Sequence, residues 1–264
     1  MTQHSLDDWD RDDESDSESA ECLSFELRGQ WGHFRRVEGN IVKQTYRIPP
    51  RTTIAGITAA ILGLDRDSYY DVFAPERSAV AVEPLDELRT MNLPQNTLST
   101  AKEHMKTVPT RGHARVSMPD PTELRQQHNY EVLVDPAYRI DLQLDDELFG
   151  ELRTRLETGT SYYPPSLGLS EHLAEVVYLG TFDVEPCEEG DVDVDSAVVE
   201  AVDDVKLSPG KPIRVERSPG FMAADSGGRT TTEFLSLAYS PRAEPVHVHD
   251  VETSRVDGRR VMFS

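Results

Sequence analysis

The order of periodic segments constrains this chain most. Leu23, Phe25 and Leu27 alternate with Ser24, Glu26 and Arg28, as in a half-buried strand. After Pro49 and Pro50, residues 51–64 place Ile54, Ile57, Ile61 and Leu64 on one helical face. Thr52 or Thr53 is the candidate N-cap there, and Gly63 the terminator. Gly56 inside this helix costs about 1 kcal/mol relative to alanine. With Ala55, Ala59 and Ala60 it predicts close packing on a sheet. Residues 78–84 form a short strand. Residues 130–144 are strand-like, interrupted at Asp135–Pro136, with Tyr138, Ile140, Leu142 and Leu144 on one face. Asp145 should cap a helix that buries Leu148, Phe149, Leu152 and Leu156 and ends at Gly159. Residues 173–184 supply a last strand.

This β-α-β-β-α-β order predicts an α+β chain with a ferredoxin-like domain over residues 21–184. Domains that bind RNA on a four-stranded sheet use the same scaffold, although a fold alone does not assign function. Residues 95–128 are polar and poor in large apolar groups, so they are expected to form a long exposed hairpin or loop. Residues 1–20 should be a disordered acidic tail. Nine acids crowd residues 185–205, which predicts a solvated loop over 185–207. Short strand-like runs among Gly and Pro predict a small β-rich part over 208–264.

The formal net charge is −21, and only five of the 27 basic residues are lysine. Such charge repels itself at low salt, whereas at 1 M salt the Debye length shrinks to about 3 Å. The composition therefore points to a salt-rich, halophilic cytoplasm. Cys22 and Cys187 form no CxxC pair, and the acidic N-terminus is no secretory signal. The longest apolar run, Ile54 to Leu64, is 11 residues, too short to span a membrane. A cytoplasmic protein is expected.

Against this acidity, residues 28–52 hold Arg28, Arg35, Arg36, Lys43, Arg47 and Arg51 with one acid, Glu38. Trp31, His33, Phe34 and Tyr46 lie among them. Arginines neutralise phosphates while aromatic faces stack on bases, so the stretch suits single-stranded nucleic acid. Thr52 and Thr53 open a helix, whose free N–H groups can bind a phosphate. An ion-pair patch over buried aromatics explains the composition equally well. Four phosphate contacts would lose about 600-fold in affinity per tenfold rise in salt. In molar salt, stacking, buried hydrogen bonds and neighbouring subunits must supply the rest.

The segments FELRGQWGHFRR (25–36) and TYRIPPRTTIAGITAAILGL (45–64) resemble the N-terminus of the Cas-five family of CRISPR-associated proteins. NYEVLVDPAYRIDL (129–142) and YYPPSLGLSEHLAEVVYLG (162–180) resemble its type I-B branch, common in haloarchaea. The likeness spans roughly residues 21–182. It implies a ferredoxin-like, RRM-related domain with a long thumb hairpin. It also implies a subunit of the Cascade surveillance complex that grips the crRNA 5′ handle and caps a filament of Cas-seven subunits. Further implied partners are the Cascade large subunit, a Cas-six nuclease in the same complex and, indirectly, target DNA. On this basis Trp31, His33, Phe34, Arg35, Arg36, Lys43, Tyr46, Arg47, Arg51 and Thr52 are candidate RNA contacts. Lys102, Lys106, Arg111 and Arg115 are those of the thumb.

The type I-C branch cleaves pre-crRNA without metal, using a Tyr, a Lys and a His, whereas the I-B member is structural. Tyr46, His33, Lys102 and His104 are the corresponding residues to test, and a non-catalytic chain with no cofactor is expected. A second alternative is a metal-dependent hydrolase built on His247 and His249 in PVHVHDVE (245–252), with Asp250 beside them. The glycine-rich run 218–234 lacks the P-loop pattern and reads as a plain turn or a phosphate-approaching loop.

Overall fold

The computed structural model describes residues 20–36, 42–98, 105–109, 115–119, 125–225 and 228–264. The alternating segment at the start forms β1 (Glu21–Arg28). Four two-residue strands follow: β2 (Trp31–Gly32), β3 (Phe34–Arg35), β4 (Val42–Lys43) and β5 (Thr45–Tyr46). Helix α1 (Arg51–Leu62) leads to β6 (Ser78–Pro84). Next come β7 (Arg89–Leu98), β8 (Met105–Pro109), β9 (Arg115–Pro119) and β10 (Arg125–Val134). Then β11 (Ala137–Leu144), α2 (Asp146–Glu157) and β12 (Glu175–Asp183) complete the first part.

The central sheet has the order β12-β1-β11-β6, with every neighbouring pair antiparallel. Leu23, Phe25 and Leu27 stand opposite Leu142, Ile140 and Tyr138, so all six share one face. That face is fully buried beneath Ile54, Ile57 and Ile61 of α1 and Leu152 and Leu156 of α2. Burying each such side chain contributes about 1.5–3 kcal/mol, and this layer is the core of the molecule.

Helix ends depart in part from expectation. Pro50, not Thr52 or Thr53, is the N-cap of α1, and no side chain caps it. The Pro50 carbonyl accepts from Thr53 N–H at 2.8 Å and Ile54 N–H at 3.1 Å. Gly63 terminates the helix at φ 81°, where a Cβ would strike the Tyr162 ring. Asp145 occupies the N-cap of α2, but its carboxylate binds Arg77 at 2.5 Å instead of capping.

The strand-like segment 130–144 breaks at Asp135–Pro136 as its sequence predicts, and Asp135 turns at φ 47°. Beyond it β11 joins the central sheet, while β10 pairs along its whole length with β7. The expected long hairpin thus starts earlier and ends later than residues 95–128, and β8 pairs β9 within it.

The acidic segment after β12 is not a loop. It forms β13 (Glu185–Cys187), β14 (Val192–Val194) and β15 (Val198–Val199), and it buries Val194, Ala197, Val198 and Val199. Its acids occupy exposed or turn positions between inward valines, and acid density conceals that alternation. The remainder folds as β16 (Arg214–Asp225), β17 (Gly228–Tyr239), β18 (Val246–Val248), β19 (Thr253–Val256) and β20 (Arg259–Val261). The glycine-rich run is therefore part of a long β16–β17 hairpin, and its Gly227 lies outside the described residues. Ala197, Val199, Leu237 and Tyr239 join the same core as the central sheet. Main-chain bonds Ser264 N–H to Val80 O (3.0 Å) and Ala197 N–H to Val82 O (2.8 Å) extend the sheet past β6.

The second face of the central sheet is mixed, with Cys22, Ala81 and Phe182 packed against Val256 and Val261 beside a set of buried polar groups. Asp141, 1% exposed, accepts from Ser24 Oγ and from Arg139 Nε at 3.1 Å. Arg139 also reaches Asp257 at 3.0 Å, and Arg259 grips Glu83, so charged pairs seat the β19–β20 turn on this face. Removing one partner of a buried pair leaves an uncompensated charge, at a cost of about 3–5 kcal/mol. Arg139→Ala should therefore lose about that much stability in chemical denaturation at 2 M KCl, while Arg139→Lys loses less.

Candidate nucleic-acid interface

Two separated sequence motifs pack against each other to build the site. Leu167, fully buried, lies between the β1–β2 turn and β3. His33 N–H donates to Leu167 O at 2.9 Å, and Leu167 N–H donates to His172 O at 2.7 Å. Gly168, at φ 94°, passes so close to the His33 carbonyl that a Cβ would overlap it. His33 Nδ1 lies 2.8 Å from the Glu131 carbonyl, so Nδ1 carries the proton. His33 Nε2 and His172 Nδ1 are buried without a hydrogen-bond partner among the described residues.

Arg47 joins three segments. Its guanidinium forks onto Glu131 of β10, with Nη2–Oε1 at 2.5 Å and Nη1–Oε2 at 3.2 Å. Its N–H donates to Glu216 Oε2 of β16 at 2.9 Å, and its carbonyl accepts from the Tyr138 hydroxyl. Glu131 also accepts from Thr45 N–H at 3.2 Å. Arg36 Nη2 stands 3.9 Å from Glu216 Oε1. Burial, then Glu216, raise the Tyr239 hydroxyl far above the usual phenol range, so it stays neutral. Arg36, Gln44, Arg47, Arg214 and the two glutamates border an open cleft of about 360 Å³.

The ten candidate contacts of the basic stretch separate into two groups. Arg35 is exposed on β3, Arg36 is 29% exposed by side chain, and Lys43 is half-buried on β4. Trp31 and Thr52 are half-buried. The others face inward. Phe34 and Tyr46 are 2% and 3% exposed and belong to the core, so neither is a free stacking platform. Arg36 instead lies over the Tyr46 ring, 5.1 Å from its centroid. His33 is buried at the Leu167 seat.

Arg51, expected to meet a phosphate, is 6% exposed. Its guanidinium donates to Phe73 O and Ser78 O, both at 2.8 Å, to Ser78 Oγ at 2.7 Å and to Ser264 O at 3.2 Å. Arg47 is likewise a structural pin. Glu131 and Glu216 lie far along the chain from Arg47, which is why composition could not reveal this pairing. On the hairpin, Lys106 and Arg115 are exposed, whereas Lys102, His104 and Arg111 lie outside the described residues, as do residues 1–19.

Sequence reasoning missed Arg214 at the cleft and Arg217, exposed and stacked 4.8 Å from the Phe234 centroid. The local pattern hides them, because Val215 is exposed while Glu216 is buried, the reverse of apolar-inward alternation. His247 and His249 are paired with acids: His247 Nδ1 lies 3.0 Å from Asp193, and His249 lies 2.6 Å from Asp191 and 2.7 Å from Asp250. Among the described residues no three His, Cys, Asp or Glu side chains are arranged to hold a metal ion.

A family model described as CRISPR-associated protein (Cas_Cas5) matches residues 22–253. The chain belongs to this family. The match takes in the Arg47 hub, the cleft and the long hairpin of this Cas5 chain. A protein of a CRISPR RNA-guided surveillance complex shares its fold, with a TM-score of 0.53 and 14% identity over 86% of this chain and 91% of that one. A protein of a type III-B Cmr-beta complex bound to cognate target RNA and AMPPnP gives 0.45 and 10% over 85% and 86%. A crystal structure of a Cas protein gives 0.38 and 16% over 84% and 95%. No curated protein sequence matches this Cas5 chain. No helix among the described residues is long and apolar enough to cross a membrane.

Two outcomes follow from these placements. Arg51→Ala strands several buried carbonyls, each worth about 1–3 kcal/mol when left unsatisfied. Its midpoint in urea should fall clearly, whereas Arg35→Ala should leave it unchanged. Burial lowers both His33 and His172 below the ordinary value near 6.5. Their neutral forms are favoured in the folded state, so stability is full above about pH 6.5 and declines as pH falls below it. Melting at pH 7.5 and pH 5.0 should show this loss, and His33→Gln with His172→Gln should shrink it.

Proposed function

We propose that the chain is a non-catalytic crRNA-binding subunit of a type I CRISPR surveillance complex that caps the 5′-handle end. One observation carries this reading. In a chain of net charge −21, Arg36 and Arg214 border one open cleft, and Arg35 and Lys43 keep surface on the adjoining β3 and β4. Lys106 and Arg115 extend the same character onto the long hairpin, which fits the thumb of the family. Family membership and the fold shared with a surveillance-complex protein support it. The partners would be Cas-seven subunits, the large subunit and a Cas-six nuclease, in a type I-B system of a halophilic cytoplasm.

The sheet order β12-β1-β11-β6, with α1 and α2 as its crossovers, supports a ferredoxin-like assignment. An RRM usually presents RNA on the open face of such a sheet. Here that face carries Ser24, Asp141 and Arg139 beneath the β19–β20 turn, so the RNA site is assigned to the cleft instead. Burial of His33 and Tyr46 speaks against the endoribonuclease alternative, because a general base must reach the 2′-OH.

Pre-crRNA incubated with the protein in molar KCl, with and without EDTA, should remain uncleaved. Specific chelator-resistant cleavage would overturn the non-catalytic reading. Arg35→Ala with Arg36→Ala should weaken handle RNA binding and flatten the log–log salt slope by about 1.4, two contacts at about 0.7 each. An unchanged slope and affinity would remove the cleft assignment.

A further inference from the structure

The motif from Tyr162 to Gly180 has an inner and an outer half. Leu167, Gly168 and His172 secure β2 and β3. The outer half remains on the surface: Tyr162, Tyr163 and Leu173 are 62%, 49% and 62% exposed, and Val177 and Leu179 are 37% each. Large apolar groups left exposed along one short stretch point to an interaction surface.

Two independent features adjoin them. β12 is the outer strand of the central sheet, and its one strand partner among the described residues is β1. The opposite edge, β6, is closed by main-chain bonds to Ser264 and Ala197. β12 has no Lys, Arg or Pro, residues that commonly blunt an exposed edge. Beside its start is a cavity of about 170 Å³ with an apolar floor of Ile61, Leu156, Ala174 and Val176. Val176 stands opposite Leu27 and so points to the helix side of the sheet, where the cavity lies.

We infer that β12 receives an extended segment of a partner protein, which adds to the central sheet and sends one apolar side chain into this cavity. Strand addition takes affinity from main-chain hydrogen bonds and specificity from pockets for alternate side chains. Charge selects protein over nucleic acid. Glu171 and Glu175 are exposed beside the edge, while the nearby arginines already have acidic partners: Arg155 at the cavity rim pairs with Glu151 at 2.8 Å and Arg28 with Glu26 at 2.7 Å. A phosphate backbone would be repelled, whereas a segment with Lys or Arg beside its apolar anchor would be attracted. The inference rests on the multi-subunit part of the proposed function and not on its RNA part.

The test uses the complex assembled from subunits co-expressed with the full chain and purified in molar KCl. Leu173 is replaced by photoreactive p-benzoylphenylalanine. Ultraviolet cross-links should fall in one contiguous, Lys- or Arg-flanked stretch of a single other protein subunit. Cross-links to RNA, to a second copy, to residues 1–19 of the same chain, or to nothing would overturn the inference. In addition, Leu173→Lys with Glu175→Lys should reduce that subunit in the complex by about tenfold or more, with the melting temperature and handle RNA affinity unchanged. Full retention of the subunit would also overturn it. If the double variant does not fold, the cross-linking result decides alone. Loss of RNA binding in Arg35→Ala with Arg36→Ala alongside intact cross-links separates this inference from the RNA reading.

Discussion

The fork between Arg47 and Glu131 is the interaction on which the functional end of the molecule depends. It is bidentate and half-enclosed, so its geometry is tightly specified. Through it the irregular strands after β1 are tied to the root of the long hairpin. Glu216 then ties the same residue to β16, near the other end of the chain. Three segments far apart in sequence thus meet at one guanidinium, and the open cleft is the space they leave between them.

This hub explains the charge anomaly of residues 28–52. Arg47 faces two glutamates, and Arg51 is enclosed by carbonyls. These groups organise the fold. Arg35, Arg36 and Lys43 retain surface from which to meet a ligand, as does Arg28, whose side chain is 42% exposed. Surface pairing weakens in concentrated salt, whereas enclosed pairs are screened much less. A chain this acidic keeps its internal arginines effective by shielding them.

The central sheet shows the same division. Its helix face is apolar and closed by α1 and α2, and its other face carries paired charges beside a small apolar cluster, both under β19–β20. One lateral edge is sealed by Ser264 and Ala197, which leaves the β12 edge and its apolar neighbours as the unsealed border of the sheet among the described residues.

Much of the fold was legible in the sequence, because helix and strand periods are local. The alternation in residues 22–28, the Ile54–Ile57–Ile61 face and the Gly63 stop appear as expected. Local signals failed where another pattern overlaid them. Acid density hid the valine alternation of β14, and the interruption at Asp135–Pro136, though legible, did not reveal that β10 and β11 take different partners. The candidate site was legible only as a composition. By itself the sequence determined the elements, their order, the family likeness and an excess of arginine and aromatic residues in one stretch. The tertiary structure alone decided that Phe34, Tyr46 and His33 are interior, that Arg47 and Arg51 are pins, and that Arg214 borders the cleft. The physical reason is distance along the chain: a side chain's charge partner and its burial are set by residues that only folding brings near.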